Sequence, residues 1–204
     1  NILSFSGWNV CGSFAYMVQN QGLNLLLNSF FGTVINAARG ISFQVMSAIQ
    51  GFSGNIFMAI RPQVIQSYAA KDYKRTTSLM FSTSKITFYM FYLFSLPMCL
   101  EIDMILRIWL GSIVPDNTSI FTILVLINML LSNFNTPLSQ VVHATGRMRN
   151  YQLITSLIVC SVLPISWFLL KLGFDSTIVF ITTIVITIIN QVVCLFLVKR
   201  IFVY

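Results

Sequence analysis

The residues best suited to bind a ligand lie on two apolar segments near the beginning of the chain. At about 100° per residue, the polar residues of the first segment fall within about 100° of one another on a helical wheel. They are Asn9, Ser13, Asn20, Asn24 and Asn28. In the second segment, a polar set falls within about 80°. Its members are Asn36, Arg39, Ser47, Gln50, Gly54 and Arg61. Amides hydrogen-bond hydroxyl groups and a guanidinium binds phosphate through two parallel bonds, so these stripes favour an anionic or sugar-like ligand.

The two arginines have two interpretations that the sequence leaves open. A continuous helix separates Arg39 from Arg61 by about 33 Å, close to the hydrocarbon thickness of a bilayer. Each side chain can therefore extend to one membrane interface and bind nothing. Alternatively, both face a polar cavity, since a charge facing lipid costs about 2.5–3.5 kcal/mol. The face that they share with Asn36 and Gln50 favours the cavity.

The amides of the first segment also have a purely structural explanation. Asn and Gln side chains hydrogen-bond between membrane helices, for about 0.6 kcal/mol each. Five polar residues on one face exceed what helix pairing requires, and we interpret them as one wall of a hydrated cavity.

Two later segments repeat the polar pattern more weakly. One set is Asn128, Ser132, Asn135, Ser139 and His143. The other is Thr183, Thr187 and Asn190, which ordinary helix packing can also explain. His143 adjoins a basic turn, which favours a headgroup or backbone contact over a proton relay.

Composition indicates a lipid bilayer as the solvent. Of the 204 residues, 56% are hydrophobic and only 8% are charged, whereas a soluble domain has about 25% charged residues. The mean hydropathy is +0.83. The apolar segments are about twenty residues long and do not alternate, which predicts membrane-spanning helices rather than barrel strands. The four cysteines lack metal-ligand spacing and are interpreted as small core residues.

The periodicity and turn signals predict an all-α integral membrane protein with six transmembrane helices. The predicted helices are 5–31, 35–68, 84–109, 119–144, 151–172 and 177–198. Gly32 suits the end of the first helix, and Pro62 suits a kink in the second. A charged connector is expected from 69 to 85, and Pro115-Asp116-Asn117 is typical of a turn. The chain begins at Asn1 with no signal sequence before the first span, so we expect a part of a longer protein.

The distribution of basic residues predicts the orientation in the membrane. If both chain ends face the cytoplasm, that side holds eight of the 12 basic residues and the other side holds three. The eight are Lys71, Lys74, Arg75, Lys85, Arg147, Arg149, Lys199 and Arg200. The three are Arg39, Arg107 and Lys171. We therefore predict that both ends are cytoplasmic.

Catalytic motifs are absent from the sequence. There is no nucleotide-binding loop, HExxH helix, nucleophile elbow or Cys/His cluster. We therefore predict a protein that is not an enzyme, with no cofactor, no metal site and no nucleic-acid partner. No acidic residue lies at the centre of a predicted span, where cation-coupled carriers usually keep one. A net charge of +7 makes an anion the more suitable partner for an internal arginine.

Several short motifs resemble one transporter family. They are Ser6-Gly7-Trp8-Asn9, the run from Asn20 to Gly32, Asn36-Ala37-Ala38-Arg39-Gly40, Arg61-Pro62-Gln63, the run from Tyr68 to Tyr73, Leu96-Pro97, the run from Ile105 to Gly111, and Ala144-Thr145-Gly146-Arg147. These segments resemble polysaccharide flippases of the Wzx type, which belong to the multidrug/oligosaccharidyl-lipid/polysaccharide exporter superfamily. The resemblance extends over nearly the whole chain.

The resemblance implies a fold, a substrate and a location. The chain would be the C-terminal six-helix lobe of a two-lobed exporter whose N-terminal lobe is missing. Its substrate would be a polyprenyl-diphosphate-linked oligosaccharide, moved by alternating access from the cytoplasmic to the outer leaflet of the bacterial inner membrane. Arg39 best matches the arginine that binds the diphosphate in related flippases. The expected substrate-binding residues are Arg39, Arg61, Asn36, Gln50, Asn20, Asn24 and Asn28.

Besides a purely structural membrane subunit, two other functions stay open at the level of sequence. One is a drug or metabolite exporter of the same superfamily. The other is a membrane glycosyltransferase or polymerase acting on the same lipid, which should carry an acidic residue or a large catalytic loop. The longest predicted connector, 69–85, is basic instead.

Overall fold

The structure, a computed structural model, describes residues 2–111, 113–135, 138–139, 142 and 149–202. In this part of the chain there are seven helices and no strand, so the predicted all-helical character is confirmed for the described residues. The helices are α1 (Ile2–Ala69), α2 (Tyr73–Leu100), α3 (Ile102–Leu110), α4 (Thr118–Ser132), α5 (Arg149–Cys160), α6 (Val162–Lys171) and α7 (Thr177–Phe202).

Helix α1 is a hairpin of two arms that meet at Gly32. Gly32 has φ 79° and ψ −172°, a conformation outside the helical region that is essentially restricted to glycine. In one straight helix, Asn20 and Arg39 would be about 28 Å apart along the axis. Their side chains are instead hydrogen-bonded, so the chain turns back at Gly32. We call residues 2–31 the first arm and residues 33–69 the second arm.

The connector after the second arm is much shorter than predicted. Helix α2 begins at Tyr73, so most of the connector expected from 69 to 85 is helical. The reason is local, because the side chain of Asp72 accepts a hydrogen bond from the backbone N–H of Arg75 at 3.0 Å and caps the helix. Lys71, with φ 59°, makes the turn between the two helices. Lys74 and Arg75 therefore lie on the first turn of α2, and Lys85 lies further along the same helix.

Two predicted helices are interrupted in the structure. The predicted helix 84–109 is divided at Glu101 into α2 and α3, and the predicted helix 151–172 is divided at Ser161 into α5 and α6. Pro164 has no N–H to donate to the carbonyl of Cys160, which explains the second interruption. The predicted helix 119–144 is described as α4 only as far as Ser132, and the predicted contributions of Pro137, His143 and the turn at 145–148 lie outside the described residues.

The two arms, α4, α6 and α7 share the main hydrophobic core. Its buried residues are Leu23, Leu27, Ala38, Phe121, Val125, Val162, Leu170, Val179, Phe180 and Ile186. Several members lie within a few residues of a turn at the same end of the molecule: Leu27 and Ala38 flank Gly32, Phe121 follows the start of α4, and Leu170 precedes Gly173. The rings of Phe121 and Phe180 stack at 4.3 Å between centroids. This end of the molecule is therefore closed by apolar packing.

Two segments are long and apolar enough to cross a membrane by length and composition. They are Arg149–Lys171, which contains α5 and α6, and Thr177–Lys199 in α7. A shorter apolar helix, Thr118–Ser132, corresponds to α4. The amides of the first arm lower its mean hydropathy, and the same amides define its polar stripe.

Candidate functional site

Arg39 is the one arginine among the buried side chains of the described residues, with 4% of its surface exposed. Its Nη2 donates a hydrogen bond to Oδ1 of Asn20 at 3.0 Å, and its Nη1 donates to Oδ1 of Asn24. The guanidinium carbon lies 4.6 Å from the centre of the Phe43 ring, a cation–π contact. These partners are neutral, so the positive charge of Arg39 is solvated by dipoles and by a π face rather than cancelled by a carboxylate.

The hairpin at Gly32 explains why these residues meet. Asn20 and Asn24 are one helical turn apart, so both side chains point from the same face of the first arm. The second arm runs back along that face and places Arg39 opposite them, while Phe43, one turn further on, lies beneath the guanidinium. The backbone turn and two helical repeats are thus sufficient to position the arginine.

Arg39 lines a cavity of about 280 Å³ inside the bundle. Each of four helical segments contributes polar side chains to its wall. They are Gln19 and Asn20 from the first arm, Arg39 and Gln50 from the second arm, Asn128 and Ser132 from α4, and Thr183, Thr187 and Asn190 from α7. Asn135, just after α4, completes the polar set. Residues from all four polar stripes of the sequence therefore converge on one space.

Three amides of the cavity have carbonyl oxygens without a hydrogen-bond partner among the described residues. They are the Oδ1 atoms of Asn128, Asn135 and Asn190, each shielded from solvent. A buried polar atom without a partner costs about 1–3 kcal/mol. The packing leaves no room for water against these oxygens, so each can accept a hydrogen bond from a ligand hydroxyl only after its side chain rotates towards the cavity. The cavity thus combines a cation that donates with amide oxygens that accept.

The predicted site residues divide into two groups. Asn20, Arg39 and Gln50 line the cavity, and Asn24 contacts Arg39 directly. Asn28 and Arg61 are exposed to the outside of the described structure and do not line it. Asn36 is half-buried with an unpartnered Oδ1 but lies outside the cavity wall. Four of the seven predicted site residues therefore lie at or next to this cavity. The other three lie outside it, because the stripe on each arm extends beyond the part that the other helices cover.

Some cavity residues were not singled out by the sequence pattern. Gln19, only 8% exposed, directly precedes Asn20 but does not belong to the predicted stripe. Tyr16 and Phe43 are aromatic, so a search for polar faces does not find them. Asn9 and Gly54 belong to the predicted stripes, but their side-chain surroundings lie outside the description. An arginine one helical turn from a phenylalanine, as in Arg39 and Phe43, is the sequence signal for the cation–π contact.

No family model, no curated protein and no solved structure matches this chain. What the site can do must therefore be derived from its own chemistry.

The chemistry of the cavity suits a ligand with both negative charge and hydroxyl groups. A guanidinium has five N–H donors, and the bonds to Asn20 and Asn24 use two of them. The remaining donors can bind the oxygens of a phosphate, and the free amide oxygens can bind hydroxyls. The volume is near the lower limit of about 300 Å³ for small-molecule pockets, so the cavity holds one small group and not an extended chain.

Proposed function

We propose that this chain is the C-terminal lobe of a membrane transporter that moves a polyprenyl-diphosphate-linked oligosaccharide from the cytoplasmic to the outer leaflet. In this proposal, Arg39 binds the diphosphate, and transport proceeds by alternating access together with an N-terminal lobe. The resemblance of the sequence motifs to Wzx-type flippases supports the substrate class.

The observation that carries the proposal is the buried, unneutralised Arg39. A buried arginine costs free energy unless a partner compensates its charge. All five acidic residues of the sequence lie in the described part of the chain, and none is among the contacts of Arg39. An anionic ligand would supply the missing charge. A diphosphate matches the bidentate geometry of the guanidinium.

The arrangement of the helices supports a membrane-spanning bundle. In the described part of the chain, the two arms, α2 with α3, α4, α5 with α6, and α7 give six successive helical segments. Amides reduce the mean hydropathy of the arms, and some of them, among them Gln19, Asn20 and Gln50, line the cavity. Polar residues that face a protein cavity are compatible with a bilayer because lipid does not contact them.

The test is the replacement of Arg39 in the protein expressed from its complete gene. The host is a bacterial strain that lacks its own flippase for the matching polysaccharide, and the measurement is cell-surface polysaccharide normalised to protein level. We expect Arg39→Ala to lose nearly all of the polysaccharide. Arg39→Lys should lose most of it, because an ammonium makes a point contact where the guanidinium makes two parallel bonds.

The matched control is Arg107→Ala. Arg107 is exposed on α3 and does not line the cavity, so its loss should leave the polysaccharide close to the wild-type amount. Normal polysaccharide with Arg39→Ala would refute the anion-binding role of this arginine. Equal losses with both substitutions would show that positive charge in general, and not the cavity, supports transport.

A further inference from the structure

A second space adjoins the Arg39 cavity and has a different chemical character. It is a groove of about 530 Å³ between the first arm and α5. Its polar wall is formed by neutral side chains: Ser13, Ser139, Gln152, Thr155 and Ser156. Among the described residues, none that lines the groove is charged, whereas the adjoining cavity contains Arg39. We call this space the hydroxyl groove.

Two residues line both the hydroxyl groove and the Arg39 cavity. They are Tyr16 on the first arm and Val159 on α5. The two spaces are therefore neighbours separated only by these side chains. Tyr16 is 57% exposed although it is a large aromatic residue, so much of its surface is available for contact. A ligand that occupies both spaces has to pass beside the Tyr16 ring.

The groove is shaped for a polar ligand. Gly12 leaves room for the side chain of Gln152, since a Cβ at position 12 would lie 1.2 Å from its Nε2. The Oγ of Ser156 is shielded from solvent and has no hydrogen-bond partner among the described residues. It can exchange a hydrogen bond with a ligand hydroxyl once the Ser156 side chain rotates towards the groove. Amide and hydroxyl groups on one side and an aromatic ring at the boundary suit a sugar, which has hydroxyls at its edge and C–H groups on its faces.

We infer that the hydroxyl groove binds the sugar ring next to the diphosphate of the substrate and that Tyr16 is the platform on which this ring stacks. The inference rests on the proposed function and deepens it, because Arg39 alone recognises any diphosphate. The groove then distinguishes a glycosylated carrier lipid from the bare one. Tyr16 is thus a specificity-determining residue.

The experiment compares two soluble probes that differ only in the sugar. One is farnesyl diphosphate, and the other is the diphosphate ester of farnesol with a single N-acetylhexosamine. Binding of each to the purified complete protein in detergent is measured by calorimetry. We expect the wild-type protein to bind the glycosylated probe at least about tenfold more tightly. Tyr16→Ala should abolish this preference, so that the variant binds both probes with equal affinity.

Further variants separate the role of the ring from a general loss of structure. Tyr16→Phe keeps the ring and should retain the preference. Gly12→Ala pushes the end of the Gln152 side chain into the groove and should reduce the preference without touching Tyr16. The matched control is Tyr89→Ala, which removes a tyrosine that is 67% exposed on α2 and distant from both spaces.

The outcomes distinguish this inference from the proposed function. If Tyr16→Ala or Gly12→Ala keeps the full preference for the glycosylated probe, the inference is wrong. If the wild-type protein binds both probes equally well, the groove is not a sugar site, while the anion-binding role of Arg39 stands. If neither probe binds, both the inference and the proposed function are refuted.

Discussion

Arg39 and Arg61 lie on the same arm and share the same face of the helical wheel, yet their surroundings are opposite. Arg39 is buried among amides and an aromatic ring, whereas Arg61 is exposed. Arg39 lies opposite Asn20 and Asn24 of the first arm, whereas Arg61, further along the second arm, does not line the cavity. The comparison shows that a polar face becomes a site only where another element covers it.

The largest expected effect comes from neutralising the Arg39 region without removing the arginine. Asn24→Asp would place a carboxylate against the guanidinium that Asn24 now contacts. Anionic ligands would then compete with an internal partner, and their affinity should fall by about 2–3 kcal/mol, which is about a hundredfold. The measurement is calorimetric binding of farnesyl diphosphate to the purified protein.

The matched control for this substitution is Asn28→Asp, one helical turn further along the same arm. Asn28 is exposed and does not line the cavity, so the affinity should stay within about twofold of the wild-type value. If both aspartates lower the affinity equally, long-range charge decides binding and the contrast between the covered and the uncovered stripe has no functional meaning.

The second prediction changes the turn that creates the contrast. A side chain at position 32 would have to adopt φ 79° and ψ −172°, so Gly32→Ala should destabilise the fold by about 1–3 kcal/mol. Gly40→Ala is the control, because position 40 has ordinary helical geometry and a Cβ there would meet nothing within 4 Å. Thermal unfolding in detergent compares the two variants. An equal midpoint for both would mean that the hairpin does not depend on the glycine.

The smallest effect is expected at the exposed arginine. Arg61→Ala should change the surface polysaccharide of the complementation strain by less than about twofold, because an exposed side chain outside the cavity contributes little. A loss as deep as that expected for Arg39→Ala would show that Arg61 acquires a partner in another state of the protein. The contrast between the two arginines would then belong to one conformation only.

The sequence is sufficient to predict the helical class and one central feature of the site. The all-helical structure follows from long apolar segments that do not alternate, and Gly32 lies where a glycine was expected to end the first helix. Wheel angles also place Asn20 and Asn24 on the same side as each other, which the contacts of Arg39 require. These features depend on local geometry, and local geometry is what a single sequence encodes most directly.

Other features depend on which helices pack together and were not predictable. A wheel shows that Asn28 and Asn24 share a face, but it does not show where the neighbouring arm ceases to cover that face. The same limit applies to Thr183, Thr187 and Asn190, whose pattern fits ordinary packing until α7 is placed beside the arms. The start of α2 at Tyr73 was missed for a different reason: charged residues suggested a loop, although Asp72 caps a helix there.

The apolar packing around Phe121 and Phe180 bears on the leakage of ions through the proposed transporter. In the proposed orientation, this end of the bundle faces the outside, and water that enters the Arg39 cavity from the other side meets stacked rings and aliphatic side chains. An ion crossing such a barrier would have to shed its hydration shell, which apolar side chains cannot replace. Each elementary charge stores about 2.3 kcal/mol per 100 mV of membrane potential. In the proposed transporter, the packed end would therefore keep ions from crossing the membrane through the Arg39 cavity.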